Sequence, residues 1–166
     1  MTQDIDQPLT TNATSGLAVG DASREFVTMT VAGQLFGIPV LKVQDVLGPQ
    51  KITRIPLSPP EVSGALNLRG KIVTPIDVRR RLNLPPRAED QFGMSIVVEH
   101  DGDQYSLVID SVGEVLNLPA ATFERNPATL NPRWREVSSG IYRLDGRLLV
   151  VLDVGRLLQF VEATAA

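Results

Sequence analysis

The sequence predicts a mainly β protein in which one motif is used twice, with a small barrel in each copy. Two observations carry this prediction. Short runs of alternating apolar residues are separated by glycine turns, and no helical pattern is long. The same order of glycines, aliphatic residues and one aspartate then occurs again further along the chain. A copy of about 70 residues has a thin core by itself, so we expect the copies to pack along a shared apolar seam.

The repeat consists of two blocks. Residues 33–47 return 69 positions later as residues 102–116, and residues 64–82 return 76 positions later as residues 140–158. The shared positions hold the residue types that build turns and strands. Both copies therefore have the same order of elements, and the second has the longer connector.

One polar motif belongs to the first copy alone. Asn67 and Arg69 have Arg143 and Asp145 as their counterparts in the second copy. A purely architectural motif would more often be kept in both copies. The difference therefore favours a binding protein, with Arg69 on a loop as a recognition residue. The alternatives are that Arg69 is an ordinary solvated charge or closes an internal salt bridge.

The elements follow in order along each copy. Residues 26–40 alternate on both sides of Gly33, which is typical of a β-hairpin, and residues 96–109 repeat this pattern. After Val40 the apolar spacing shifts, so we expect a kink or bulge near Leu41.

Each copy then ends in a strand followed by an aspartate. Asp77 and Asp153 are suited to cap short helices over residues 78–82 and from 154 to about 161.

The domain organisation predicted from these patterns is one folded unit between two tails. Residues 1–24 lack periodicity and apolar content, so they are expected to form a disordered tail. The folded unit covers residues 25–161, with a first barrel at about 26–90 and a second at about 94–158, intertwined at the ends. Residues 162–166 form a C-terminal tail.

Composition excludes several classes of function. The net charge of −3 argues against a generic binder of nucleic acid, and the absence of cysteine excludes disulfides and thiol chemistry. No apolar stretch is long enough to insert in a membrane and no secretory signal is present, so we expect a cytoplasmic protein. His100 is the single histidine and is interpreted as a solvated turn residue, so neither a metal site nor a cofactor is expected. Nucleotide-binding and nucleophile motifs are missing, which predicts a protein that is not an enzyme.

Two further features have a structural and a functional interpretation. The run Arg79–Arg81 is expected to be a solvated face of a short helix. Trp134, between two arginines, is expected to be a core plug between the barrels, with an interface anchor as the alternative.

Four segments together resemble the CheW family of bacterial chemotaxis coupling proteins: residues 36–46, 64–79, 110–115 and 148–153. The resemblance covers about residues 24–161. It implies two Src-homology-3-like five-stranded β-barrels packed together, with short helices at the connectors and the C-terminus. It also implies a non-enzymatic adaptor, recruited to receptor arrays at the inner membrane, that joins the cytoplasmic tips of methyl-accepting chemoreceptors to the regulatory domain of the histidine kinase CheA. The alternative is a CheW-like regulator that competes for or caps CheA without coupling receptors.

The resemblance also implies which residues contact each partner. Receptor contact would fall on a groove between the barrels, where Arg69 and Asp45 would fix the register of a helical tip. The predicted receptor-binding residues are Val43, Asp45, Gly64, Asn67, Arg69 and Ile72. Kinase contact would fall on an end of the first barrel, at Phe36, Ile38 and Val40, which also alternate as core residues. Asp45 stands where the family often has glutamate, so its reach is shorter by one methylene.

Overall fold

The computed structural model describes residues 22–50, 59–88 and 93–159. Ten strands and three short helices make up most of this part of the chain. The strands are β1 (Ser23–Val31), β2 (Gln34–Pro39), β3 (Val43–Leu47), β4 (Leu66–Leu68), β5 (Lys71–Asp77), β6 (Met94–His100), β7 (Asp103–Ile109), β8 (Ser111–Pro119), β9 (Ser138–Leu144) and β10 (Arg147–Leu152). The helices are α1 (Val78–Arg81), α2 (Pro132–Val137) and α3 (Val154–Leu157).

The strands form two five-stranded sheets, and each sheet contains strands of both copies. The first sheet has the order β8-β1-β2-β10-β9 and the second has the order β3-β6-β7-β5-β4. In each sheet strands of the two copies pair at two places: one pair is parallel, β2 with β10 or β5 with β7, and the other is antiparallel, β1 with β8 or β3 with β6. The copies have therefore exchanged their hairpins. This pairing differs from the prediction of one barrel in each copy.

The exchange follows from two short crossovers that carry the chain from one sheet to the other. A 3-10 turn at Val40–Lys42 separates β2 from β3, and Asp110 alone separates β7 from β8. The shift in spacing after Val40 was predicted as a kink within a strand, whereas it is a change of sheet. As a result the second sheet is continuous in sequence over residues 43–109. The first sheet combines residues 23–39 with residues 111–152. The predicted barrel bounds of about 26–90 and about 94–158, intertwined at the ends, stay a prediction.

The largest apolar core lies between the two sheets. Alternate residues of both sheets point into it, among them Met29, Phe36 and Ile38 of the first sheet and Ile96 and Leu107 of the second, all fully buried. This is the shared seam expected from the sequence. A smaller core fills the other face of the first sheet and contains Phe26, Leu35, Tyr142, Leu149 and Val151.

The two aspartate caps form as predicted. Asp77 Oδ1 accepts hydrogen bonds from the backbone amides of Arg79 and Arg80, and Asp153 Oδ1 accepts one from the amide of Arg156. A carboxylate at this position satisfies amides that a short helix leaves free. The predicted extension of the last helix to about residue 161 runs beyond the described residues.

The arginine run on α1 is mostly not solvated. Arg81 is 8% exposed and donates from Nε to the Leu157 carbonyl at 2.7 Å and from Nη2 to the Arg156 carbonyl at 3.0 Å. Arg79 donates to both carboxylate oxygens of Asp110 at 2.9 and 2.6 Å. Only Arg80 is exposed. The interpretation of residues 79–81 as a solvated face was wrong for two of the three, because each has a partner far away in sequence.

The predictions for Trp134 and His100 have different outcomes in the structure. Trp134 of α2 packs against the seam with its ring edge on Phe36, 5.5 Å between centroids, as a plug would. The side chain of His100 is 21% exposed and lies 3.4 Å from a carboxylate oxygen of Asp101, so it is largely buried rather than solvated. The predicted tails at 1–24 and 162–166 lie outside the described residues, except that β1 already begins at Ser23.

Candidate partner-binding surfaces

The turn that joins β4 to β5 presents Arg69 to solvent. Its backbone has φ values of +52° at Arg69 and +84° at Gly70, the left-handed region that suits glycine at a tight turn. The Asn67 side-chain oxygen accepts a hydrogen bond from the Gly70 amide at 3.1 Å and holds this turn. Asn67 therefore stabilises the turn. It pairs with Ile72 across β4 and β5, so Asn67 and Ile72 lie at the same edge of the sheet.

An ion pair joins this turn to the opposite edge strand of the same sheet. Arg69 Nη2 lies 3.4 Å from Asp45 Oδ2, with the side chains 80% and 30% exposed respectively. The other oxygen of Asp45 accepts a hydrogen bond from the Val46 amide at 2.9 Å, which fixes the carboxylate. Most of the Arg69 guanidinium remains available to a second carboxylate or to a carbonyl.

A shallow depression of about 180 Å³ lies beside this ion pair. We call it the mouth; it is lined by Gln44, Asp45, Leu68, Arg69, Lys71, Val97 and Gln104. All of these residues belong to the second sheet or its turns. The mouth is thus at one end of a single sheet, whereas the sequence predicted a groove between the barrels.

A chain of amides makes the floor of the mouth polar. Gln44 occupies an irregularity in the pairing of β3 with β6. Its side chain donates to Glu99 at 2.8 Å and accepts from Gln104 at 2.7 Å, linking three neighbouring strands. Such a network fixes the side chains around Asp45 before any partner arrives.

The structure brings together four of the six predicted receptor-binding residues. Asp45 and Arg69 line the mouth, Asn67 holds the turn that carries Arg69, and Ile72 presents an apolar side chain that is 70% exposed. Val43 and Gly64 are placed elsewhere. Val43 packs against the seam, and Gly64 is buried with φ at +147°.

The predicted kinase-binding residues divide in the same way. Phe36 and Ile38 are fully buried in the seam, so neither presents a surface, because the inward alternation of β2 continues to its end. Val40 is half-buried on the first crossover and lines a depression of about 360 Å³ with Ser23, Arg24, Glu25, Pro39, Leu41 and Asn117.

Leu41, which sequence reasoning did not select, is 96% exposed beside this depression. The only sequence signal was the shift in spacing, which releases Leu41 from both sheets.

Two absences hold for the residues described here. Within them, no group of three or more His, Asp or Glu side chains is arranged to hold a metal ion. None of the helices seen in residues 22–50, 59–88 and 93–159 is long and apolar enough to cross a membrane.

Comparison with known proteins assigns the fold to one family. The model of the CheW-like domain matches residues 25–162, nearly the whole folded part. The chain belongs to the CheW family. It is 32% identical over 148 residues to the chemotaxis protein CheW of Klebsiella aerogenes, covering 89% of each chain. It is 26% identical over 134 residues to CheW of Bacillus subtilis, covering 81% of this chain and 86% of that protein.

A solved structure of a CheW protein has the same fold as this chain. The scaffolding protein CheW of Thermoanaerobacter tengcongensis matches with a TM-score of 0.74 at 27% identity, covering 83% of this chain and 94% of that chain. The predicted fold class, two Src-homology-3-like barrels with few short helices, is confirmed. So is the prediction of a chemotaxis scaffold rather than an enzyme, because the CheW family consists of non-enzymatic scaffold proteins.

Proposed function

We propose that this chain couples the cytoplasmic tips of chemoreceptors to the regulatory domain of CheA in a cytoplasmic array at the inner membrane. The observation that carries the receptor half is the mouth of the second sheet. Asp45 and Arg69 form an exposed ion pair there, and Ile72 of the same hairpin is an exposed apolar residue. An apolar contact flanked by a charge pair suits one face of an amphipathic helix, whose polar side chains fix the register.

The kinase half of the proposal rests on the first crossover. Leu41 exposes nearly its whole side chain and lines one depression together with Pro39 and Val40, and adjoining exposed apolar groups of this kind mark interaction sites. We assign CheA contact to Val40 and Leu41 with the adjoining depression, in place of the buried Phe36 and Ile38.

Two separate surfaces favour a coupler over a pure competitor. No residue that lines the mouth also lines the depression beside Leu41. A protein with both sites holds two partners at once, and weak contacts suffice when an array multiplies them. A competitor for CheA needs only the second surface.

Reconstituted arrays test the proposal. Receptor tips on a template, CheA and increasing amounts of this protein are mixed, and kinase activity is followed. We expect activity to rise with low doses of the wild type and to stay at the basal level with Arg69→Ala. The matched control is Asp145→Ala, at the equivalent turn of the second copy. Lowered activity at every dose, with receptors present, would show a competitor instead of a coupler.

A further inference from the structure

The three helices lie together and form a surface that neither proposed site uses. The side chain of Arg81 ties the end of α1 to the last carbonyls of α3. The backbone amide of Asp153 donates to the Val137 carbonyl at 2.8 Å, which joins the start of α3 to the end of α2. We call α1, α2 and α3 the helical cap.

The cap is richer in exposed arginine than in exposed acid. Arg80, Arg133, Arg135 and Arg156 are exposed, against one exposed acid, Glu136. Within the described residues, Arg80, Arg133 and Arg135 have no carboxylate within ion-pair distance, while Arg156 donates to the Ser138 carbonyl.

The other acids of the cap are already engaged or partly covered. Asp77 and Asp153 accept backbone amides as helix caps, and Glu61 is half-buried. Burial first, and then the charge of Arg133, lower the pKa of Arg81, while Glu61 and Glu136 act in the opposite direction. The count of exposed side chains therefore carries the argument for a local excess of positive charge. This excess stands out in a chain whose net charge is −3.

A groove for one side chain adjoins Arg80. It measures about 220 Å³ and is lined by Pro60, Glu61, Arg80, Asn83, Leu84 and Pro86. Pro60, Leu84 and Pro86 supply its apolar surface, and Arg80, Glu61 and Asn83 supply its polar groups. An aliphatic side chain placed in the groove brings its flanking residues within reach of the Arg80 guanidinium.

We propose that the helical cap is a docking surface for an acidic polypeptide segment that carries one aliphatic side chain. Charge complementarity selects the acids, which pair with Arg80 and Arg133, and the groove takes the aliphatic side chain. Arginine suits this task because its planar fork binds carboxylates through two parallel hydrogen bonds. A nucleic acid fits less well, since the basic groups are few and are interrupted by Glu61 and Glu136 rather than set in a continuous stripe.

The protein contains its own reporter for this surface. Trp134 is the single tryptophan of the chain and lies on α2 between Arg133 and Arg135. The test uses the full chain and a synthetic peptide of twelve residues, glutamates with one central leucine and no tryptophan, with lysines replacing the glutamates in the control peptide. Trp134 emission and the anisotropy of a labelled peptide are both followed.

We expect saturable binding of the glutamate peptide that weakens at least fivefold between 50 and 300 mM NaCl, as screening requires. Arg80→Glu with Arg133→Glu should weaken it at least tenfold, and replacing the peptide leucine by glutamine about threefold. The matched control is Arg125→Glu with Arg147→Glu, the same change of net charge at two exposed arginines away from the cap. This pair should weaken binding less than twofold.

Three outcomes overturn the proposal. The first is no saturable binding at 50 mM NaCl. The second is an equal loss with both double variants, which reduces the effect to overall charge. The third is tighter binding of a single-stranded oligonucleotide that depends on the same two arginines. The coupling assay with receptors and CheA is separate, so failure here leaves the proposed function standing.

Discussion

The two crossovers between the sheets occupy equivalent places in the repeat, yet their side chains meet opposite surroundings. On the first crossover Leu41 is 96% exposed. Its counterpart 69 positions later is Asp110, whose carboxylate is held by Arg79, Arg87 and the Ala32 amide. One crossover is thus fastened to the rest of the molecule and the other is left open to solvent. Both copies of the repeat have a crossover at the same place. The crossover at Asp110 stabilises the molecule, while the crossover at Leu41 is available to a partner.

Removing the Asp110 carboxylate tests the fastened crossover and should have the largest effect. Asp110→Ala leaves Arg79 and Arg87 without their carboxylate partner, although Arg79 keeps its hydrogen bond to the Pro85 carbonyl, and both side chains are less than 15% exposed. We expect the free energy of unfolding to fall by about 2–3 kcal/mol, as when a partly buried charge loses its partner. Urea denaturation at pH 7 measures it. Asp103→Ala, at an exposed strand position, serves as the control and should change it by less than about 0.5 kcal/mol.

We expect low pH to remove the stabilisation that the Asp110 carboxylate gives to this crossover. Burial works to raise the pKa of Asp110, but hydrogen bonds from Arg79, the Ala32 amide and Arg87 outweigh it and lower the pKa from 3.8 to about 2. Because the folded pKa is below the unfolded one, the stabilisation is complete above pH 4 and is lost as the pH falls towards 2.

Urea denaturation of wild type and Asp110→Asn between pH 6 and pH 2 checks this. The two stabilities should differ by a constant amount above pH 4 and then converge. Parallel curves down to pH 2 would contradict the role given to the carboxylate.

The open crossover should matter for binding and not for stability. Leu41→Asn removes an exposed apolar side chain, so we expect unfolding to change by less than about 0.5 kcal/mol. Binding of the CheA regulatory domain should weaken about tenfold, which corresponds to about 1.4 kcal/mol. Calorimetric titration measures it, and Val115→Asn, a residue 54% exposed on β8, is the control. Unchanged affinity for Leu41→Asn would remove this crossover from the kinase surface.

The ion pair of the mouth should contribute least to folding. Arg69 is 80% exposed, and exposed pairs of this kind are worth about 0.5 kcal/mol or less. A double-mutant cycle of Asp45→Ala and Arg69→Ala, followed by urea denaturation, should give a coupling energy no larger than that. A coupling above about 1.5 kcal/mol would mean that the pair fastens the two edges of the sheet, as Asp110 fastens its crossover.

The comparison also shows what the sequence could and could not predict. Local patterns fix local structure, so the hairpins, the caps at Asp77 and Asp153 and the shared seam follow from residue spacing. The exchange of hairpins does not, because alternation predicts a strand without saying which copy supplies its neighbour. Arg79 and Arg81 were misread since their partners, Asp110 and the Leu157 carbonyl, are distant in sequence.

The predicted binding residues also divide into those that the sequence identifies and those that depend on contacts distant in sequence. Arg69 was selected from the loop that carries it, whereas Asp45 and Ile72 were selected through the resemblance to the CheW family; all three are at least partly exposed. Phe36 alternates as a core residue and is buried, whereas the shift in spacing after Val40 is the only sequence signal at Leu41. That shift does not by itself predict the change of sheet at residues 40–42 that exposes Leu41.

The discontinuous first sheet has a consequence for how the protein is made. Residues 43–109 contain every strand of the second sheet, so that sheet is complete before the ribosome reaches the last third of the chain. The opening hairpin, β1 with β2, must wait for β8, β9 and β10, and Phe26 and Leu35 on its face away from the seam stay uncovered until Tyr142, Leu149 and Val151 are made. Contacts so far apart in sequence form slowly and leave a nascent chain open to aggregation. Cutting the gene between the copies would therefore yield one fragment with an orphan hairpin and another missing the strands it needs.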